Sequence, residues 1–159
     1  MIKAFAAHFS LALLVPTTFL SINLTAVAAR AQSQLYSPIP IPGNNEISDT
    51  LTEKDIPTGQ GGFARDYVMN LTAGDQVAID LSSESFDTVV TLLAGDGSTV
   101  GENDDGPDGT TNSLLFVRIT EAGRYIIRVR AFGETSGGPF KLKVTRLRPV
   151  SYSTFKILA

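Results

Sequence analysis

The sequence predicts an all-β protein, an antiparallel β-sandwich of about eight short strands that follows an N-terminal signal peptide. Three observations predict it. From Glu46 onward apolar and polar residues alternate with period two in short runs. Clusters of Gly, Asp, Asn and Ser punctuate those runs at the spacing of a sandwich or barrel. No run beyond the N-terminal segment keeps helical spacing, and there is no internal repeat.

Residues 1–31 read as a secretory signal. Lys3 supplies the positive start, Leu11–Val15 and Phe19–Val27 the apolar region, and Ala29-Arg30-Ala31 a small-x-small site before Gln32, with Ala26-Val27-Ala28 competing. The uncharged run is also long enough for an uncleaved membrane anchor. Pro16, Thr17-Thr18 and the small-residue end favour cleavage, which leaves no membrane span in the mature chain.

Residues 32–45 form a proline-rich spacer. Pro38, Pro40 and Pro42 alternate, removing backbone donors and fixing φ, so the segment is expected to be extended and outside any sheet interior. A ligand for a proline-recognising partner is the alternative.

The sandwich is expected over 46–148. Tyr67, Met69 and Leu71 alternate with Asp66, Val68 and Asn70; Val77, Ile79 and Leu81 alternate with Gln76, Ala78 and Asp80. Thr72-Ala73-Gly74-Asp75 between them suits a hairpin turn. Thr88–Ala94 is apolar on both faces and therefore central. After an acidic loop come strands over Ser113–Ile119 and Tyr125–Phe132, the latter pointing Tyr125, Ile127 and Val129 inward and Ile126, Arg128 and Arg130 outward. Phe140, Leu142 and Val144 give the inward face of the last strand, and 149–159 is a tail whose Tyr152, Phe155, Ile157 and Leu158 suit either an added edge strand or a loose end.

Composition excludes several functions. The 159-residue chain has room for one domain and has no cysteine, so no disulfide, thiol nucleophile or thiolate metal site is available. Its one histidine, His8, lies in the signal, and a mature chain without imidazole lacks the Ser-His-Asp and Cys-His arrangements and the usual zinc sites. A net charge of −3 argues against nucleic acid as a partner. The charge is uneven: no Lys or Arg lies between Asp66 and Val117, whereas basic residues dominate from Arg118 to Arg148.

Chemistry can concentrate between Phe86 and Asn112. Phe86-Asp87 precedes a strand, Gly95-Asp96-Gly97-Ser98 forms a turn, and Glu102-Asn103-Asp104-Asp105-Gly106 leads into the next apolar run, which ends before Ala122-Gly123-Arg124-Tyr125-Ile126-Ile127-Arg128-Val129. In that order and spacing the chain resembles the bacterial pre-peptidase C-terminal domain, from about Glu46 to Leu147. The resemblance implies a secreted, jelly-roll-like sandwich that acts beside peptidases without being one. This sequence contains no peptidase. Some members bind calcium, partly through the segment leading into the sandwich, and those positions do not map onto this chain.

The side chains of Asp87, Asn103, Asp104, Asp105 and Asp108 offer the oxygen ligands that Ca²⁺ prefers. The spacing is not that of an EF-hand: with Asp104 in first place the third position is Gly106 and the twelfth Leu115, so no Glu closes the loop. Asn, Asp and Gly are equally what a tight turn requires. A second candidate is basic. If the last two strands pair, Arg128, Arg130, Lys141 and Lys143 share one outward face, suited to sulfated or acidic polysaccharide, anionic lipid headgroups or an acidic protein; solubility and protection of a sheet edge explain the same residues without a ligand and are the favoured reading. Asn70-Leu71-Thr72 matches a glycosylation sequon, a coincidence if the resemblance to a bacterial family holds.

The expectation is a non-catalytic, secreted or periplasmic accessory module, calcium-stabilised through the acidic loop, that binds a protein or polysaccharide of the envelope or extracellular space. The alternatives are an envelope assembly protein and, less favoured, a hydrolase working through carboxylates alone such as Asp87, Asp104 and Asp105.

Overall fold

The computed structural model describes residues 36–59, 61–107, 109–133 and 137–147. The signal (1–31), the first residues of the spacer, Asp108 and the tail (149–159) lie outside the described residues. The unit built into the sandwich begins at Pro38.

Among the described residues there are ten strands: β1 (Ile39–Pro40), β2 (Glu46–Leu51), β3 (Ile56–Pro57), β4 (Phe63–Leu71), β5 (Gln76–Ser82), β6 (Thr88–Leu93), β7 (Thr99–Asn103), β8 (Ser113–Arg118), β9 (Gly123–Ala131) and β10 (Gly138–Leu147). They form two sheets. The first runs β1-β4-β9-β6-β7, with β3 also on β4, and the second runs β2-β10-β5-β8. All pairings are antiparallel except β1 on β4.

Period-two alternation sends one face of each strand into a shared core. Tyr67, Leu71, Val90, Leu92, Tyr125, Ile127 and Val129 from the first sheet meet Val77, Ile79, Leu81, Leu115, Phe140, Leu142 and Val144 from the second. Phe140 stands edge-on to Tyr67 and Phe86, with ring centres 6.3 and 6.4 Å apart. Gly101 on β7 is required by close approach: a Cβ there would come within 3.2 Å of the Leu115 and Val117 side chains of β8.

Polar groups that enter the interior are satisfied. Thr88 and Ser113 are buried, share a 2.7 Å hydroxyl contact, and reach the carbonyls of Leu81, Thr111 and Thr88. At one end a charged network ties the sheets together. Arg65 on β4 reaches Asp49 of β2 at 2.6 Å and Asp55 of the following turn at 2.8 Å, and the Tyr67 hydroxyl donates to Asp49 at 2.8 Å.

Several expectations are corrected. Among the described residues the strand count is ten, because β3 is too short to show alternation and β7, whose Thr99 to Asn103 holds three exposed residues and a glycine, reads as loop. Thr72–Asp75 is a turn, closed by Asp75 N–H to Thr72 O at 3.1 Å and Asp75 Oδ2 accepting from Thr72 N–H at 2.9 Å, yet it is no hairpin: it passes the chain from the first sheet to the second. The proline segment is not only a spacer, since Ile39 and Pro40 pair with Tyr67 and Val68 at the edge of β4. The sandwich therefore starts before Glu46. Proline is tolerated there because an edge strand can leave one side unpaired.

Candidate functional site: a charged groove on an outer sheet face

The last two strands do not pair. β9 lies between β4 and β6 in the first sheet and β10 between β2 and β5 in the second, so the expected basic patch is divided. Arg128 and Arg130 point from the outer face of one sheet, and Lys141 and Lys143 from the outer face of the other, with the core between them. A hairpin was the simplest reading of two successive strands, and a sandwich routinely sends such strands to opposite layers.

The two halves differ. Lys143 is an exposed lysine that meets Glu46 at 2.8 Å, which raises its own pKa and lowers that of Glu46 through that hydrogen bond. Lys141 stands between Ser48 and Ser82 on its neighbouring strands, beside an open cavity of about 680 Å³ lined by Thr50, Ser83, Glu84 and Asn112.

The first sheet offers a more ordered arrangement. Register places Asp66, Arg128, Thr91 and Glu102 in one row across β4, β9, β6 and β7. Arg128 Nε and Nη2 each donate to Asp66 at 2.8 Å, a two-point contact to a carboxylate whose side chain is 1% exposed. The Thr91 hydroxyl donates to Glu102 Oε2 at 2.6 Å, and Arg130 Nη2 reaches Glu102 Oε1 at 3.2 Å. Above this row is a groove of about 470 Å³, walled by Ile56, Pro57 and Thr58 on one side and Leu93 and Thr99 on the other. Its size is that of a small-ligand site. Thr58 holds the wall in shape by donating from its hydroxyl to the Gly61 carbonyl.

The acidic loop is organised by its amide. Asn103 Nδ2 donates to the carbonyls of Asp105 and Leu114, both at 2.8 Å, and its Oδ1 accepts from Asp105 N–H at 3.2 Å. Leu114 N–H donates to Asp105 O at 3.2 Å. Asn103 thus fastens the loop to the free side of β8. Asp87 sits at the start of β6, where its carbonyl accepts from Phe132 N–H at 2.8 Å. Among the described residues no three acidic side chains gather closely enough to hold a metal ion, and Asp108 lies outside them. The described atoms around Asn103 fit a turn: the Asp105 and Leu114 carbonyls already receive amide donors that a cation would have to replace.

Sequence reasoning found Arg128 and Arg130 but not Asp66, Thr91 or Glu102 as their neighbours. Period two marked Asp66 as outward, and nothing in the chain marks its pairing with a residue 62 positions later.

Two packed layers with a polar groove on an outer face define an antiparallel β-sandwich domain that presents its site on a sheet surface. Residues 64–131, from β4 to β9, match the model of the bacterial pre-peptidase C-terminal domain. The matched stretch contains all four strands of the charged row. Among solved structures, the pre-peptidase C-terminal domain of collagenase from Bacillus anthracis matches with a TM-score of 0.53 and 14% identity, over 69% of this chain and 95% of that one. PliG of Aeromonas hydrophila, a periplasmic inhibitor of g-type lysozyme, matches with a TM-score of 0.52 and 17% identity, over 70% and 96%. At such identities these likenesses show the fold. No curated protein matches the chain.

Proposed function

We propose that this chain is a non-catalytic accessory module of the exterior or periplasm that binds a partner through the outer face of its first sheet. The observation that carries the reading is the groove, where a buried carboxylate holds one arginine in a fixed orientation beside a second. Rigid strands that present a few oriented polar groups in a concave surface are suited to holding a ligand. The family and the two solved neighbours, one a domain of a collagenase and one a lysozyme inhibitor, support a module that works against another macromolecule. Export is supported by the signal-like residues 1–31, and no helix among the described residues is long and apolar enough to cross a membrane.

The test expresses the full chain in a bacterial host with a periplasm. Mass spectrometry of the exported protein should find a new N-terminus at Gln32, and the purified protein should retain a partner from envelope or extracellular fractions without turning over peptide or glycan substrates. Turnover abolished by a single Asp87, Asp104 or Asp105 substitution would assign a hydrolase instead.

An assembly role is the second reading, favoured by Phe116. Its ring is 63% exposed on the edge strand β8. Concentration-dependent self-association on a sizing column, lost in Phe116→Ser, would favour it.

Calcium binding by the loop with Asp87, Asn103, Asp104, Asp105 and Asp108 is a separate proposal. A cation that binds only the folded state raises the thermal midpoint by mass action. A rise at millimolar calcium, removed by chelator, would support it, and an unchanged midpoint would leave the loop to Asn103 alone.

A further inference from the structure

We infer that the groove takes a carboxylate from an acidic peptide segment of a protein partner, with Arg130 as the contact and Glu102 as the internal carboxylate that the ligand replaces; this rests on the binding-module reading above. Arg128 and Arg130 share a face of β9, but their settings differ. Arg128 is gripped at two points by the buried Asp66, so its position is fixed and its charge matched. Among the described residues the Arg130 side chain has one ion-pair contact, 3.2 Å to Glu102, and the two side chains are 27% and 46% exposed.

A guanidinium carries five N–H donors in a planar fork, and this contact occupies one of them. Exposed single-contact ion pairs are weak. A ligand carboxylate that meets the fork at two points gains shorter, stronger, charge-assisted bonds than Glu102 makes. Glu102 is exposed enough to swing into water when displaced, and the Thr91 hydroxyl it releases, 2.6 Å away, can then turn to the ligand.

The groove's walls indicate a peptide. Ile56 and Pro57 on one side of the arginines and Leu93 on the other supply apolar atoms that the methylenes of an acidic side chain and its neighbours would meet. None of the described residues that line it carries an aromatic ring to stack on a sugar.

The experiment measures binding of the purified full chain to three soluble probes at fixed low salt: poly-L-glutamate, polygalacturonate and dextran sulfate. The expected result is preference for polyglutamate, weakened at least tenfold in Arg130→Gln, weakened less in Arg130→Lys, which keeps the charge without the fork, and strengthened severalfold in Glu102→Gln. Lys141→Gln, on the opposite sheet, should bind as wild type does. Preference for polygalacturonate or dextran sulfate, equal loss in Lys141→Gln, or an unaffected Arg130→Gln would overturn the inference. Should Arg130→Gln unfold, the sign of the Glu102→Gln effect decides, since a structural ion pair alone gives no gain in affinity. If the wild type retains an envelope partner that the Arg130 variants also retain, this inference falls and the binding-module reading stands; if the wild type retains none, that reading falls as well.

Discussion

Asp49 and Tyr67 are the residues through which pH should act on this fold. Burial pushes the Asp49 carboxyl up, and hydrogen bonds from Arg65, the Thr50 N–H and the Tyr67 hydroxyl outweigh it, leaving its pKa below the ordinary 3.8. A carboxylate whose pKa falls on folding contributes stability above its unfolded value and loses it as pH drops through the folded one. Asp49→Asn is therefore expected to cost about 1–3 kcal/mol at pH 7, the scale for losing a charged hydrogen-bond partner. Urea midpoints of the two proteins should converge as pH falls below 3.8. Tyr67 behaves oppositely: burial, then the hydrogen bond to Asp49, raises its pKa above the ordinary 10.0. Its contribution is present below pH 10 and is lost as pH rises through the folded value. Wild type should lose stability above pH 10 more steeply than Tyr67→Phe, which has nothing to titrate there. At neutral pH that variant should lose about 1 kcal/mol for one hydrogen bond.

The elements depend on how their edges are closed. β4 has its outer edge shared by two short strands, β3 against Phe63 and Ala64 and β1 against Tyr67 and Val68, so neither half is left as a long open template. β8 is an edge strand, and the loop after β7 covers part of it through the Asn103 amide and the Asp105 carbonyl. Asn103→Ala removes three hydrogen bonds and leaves Leu114 O without its amide donor. A loss of about 1–2 kcal/mol is expected, read as a lower urea midpoint, together with faster aggregation on heating because more of β8 is open. An equal effect with and without calcium would mark the side chain as a turn clamp.

At the scale of the molecule one core holds both sheets. Ile127 lies fully buried on β9, the strand between β4 and β6. Ile127→Ala should cost about 2–5 kcal/mol, because the sheets around it cannot close over the missing methylenes. The loss should appear as one cooperative transition seen alike by far-ultraviolet dichroism and tyrosine fluorescence. Two separate transitions would mean that the sheets unfold independently.

Alternation of apolar and polar residues determined, from the sequence alone, that the chain is all-β and which side of each strand meets the core; Tyr67, Val77, Ile79, Leu81, Ile127, Val129 and Leu142 stand where period two puts them. That information is local, since a pleated strand turns successive side chains to opposite faces whatever its neighbours are. Which strands pair is not local. The turn at Thr72–Asp75 and the step from β9 to β10 look like hairpins in the chain and are crossings between layers, because joining the sheets lets both bury an apolar face. Only that crossing set Arg128 and Arg130 apart from Lys141 and Lys143, and only the long-range register of β4 on β9 and β7 on β6 brought Asp66 and Glu102 to the two arginines. The face of each residue follows from backbone geometry, whereas its companions follow from burial shared among strands distant in sequence.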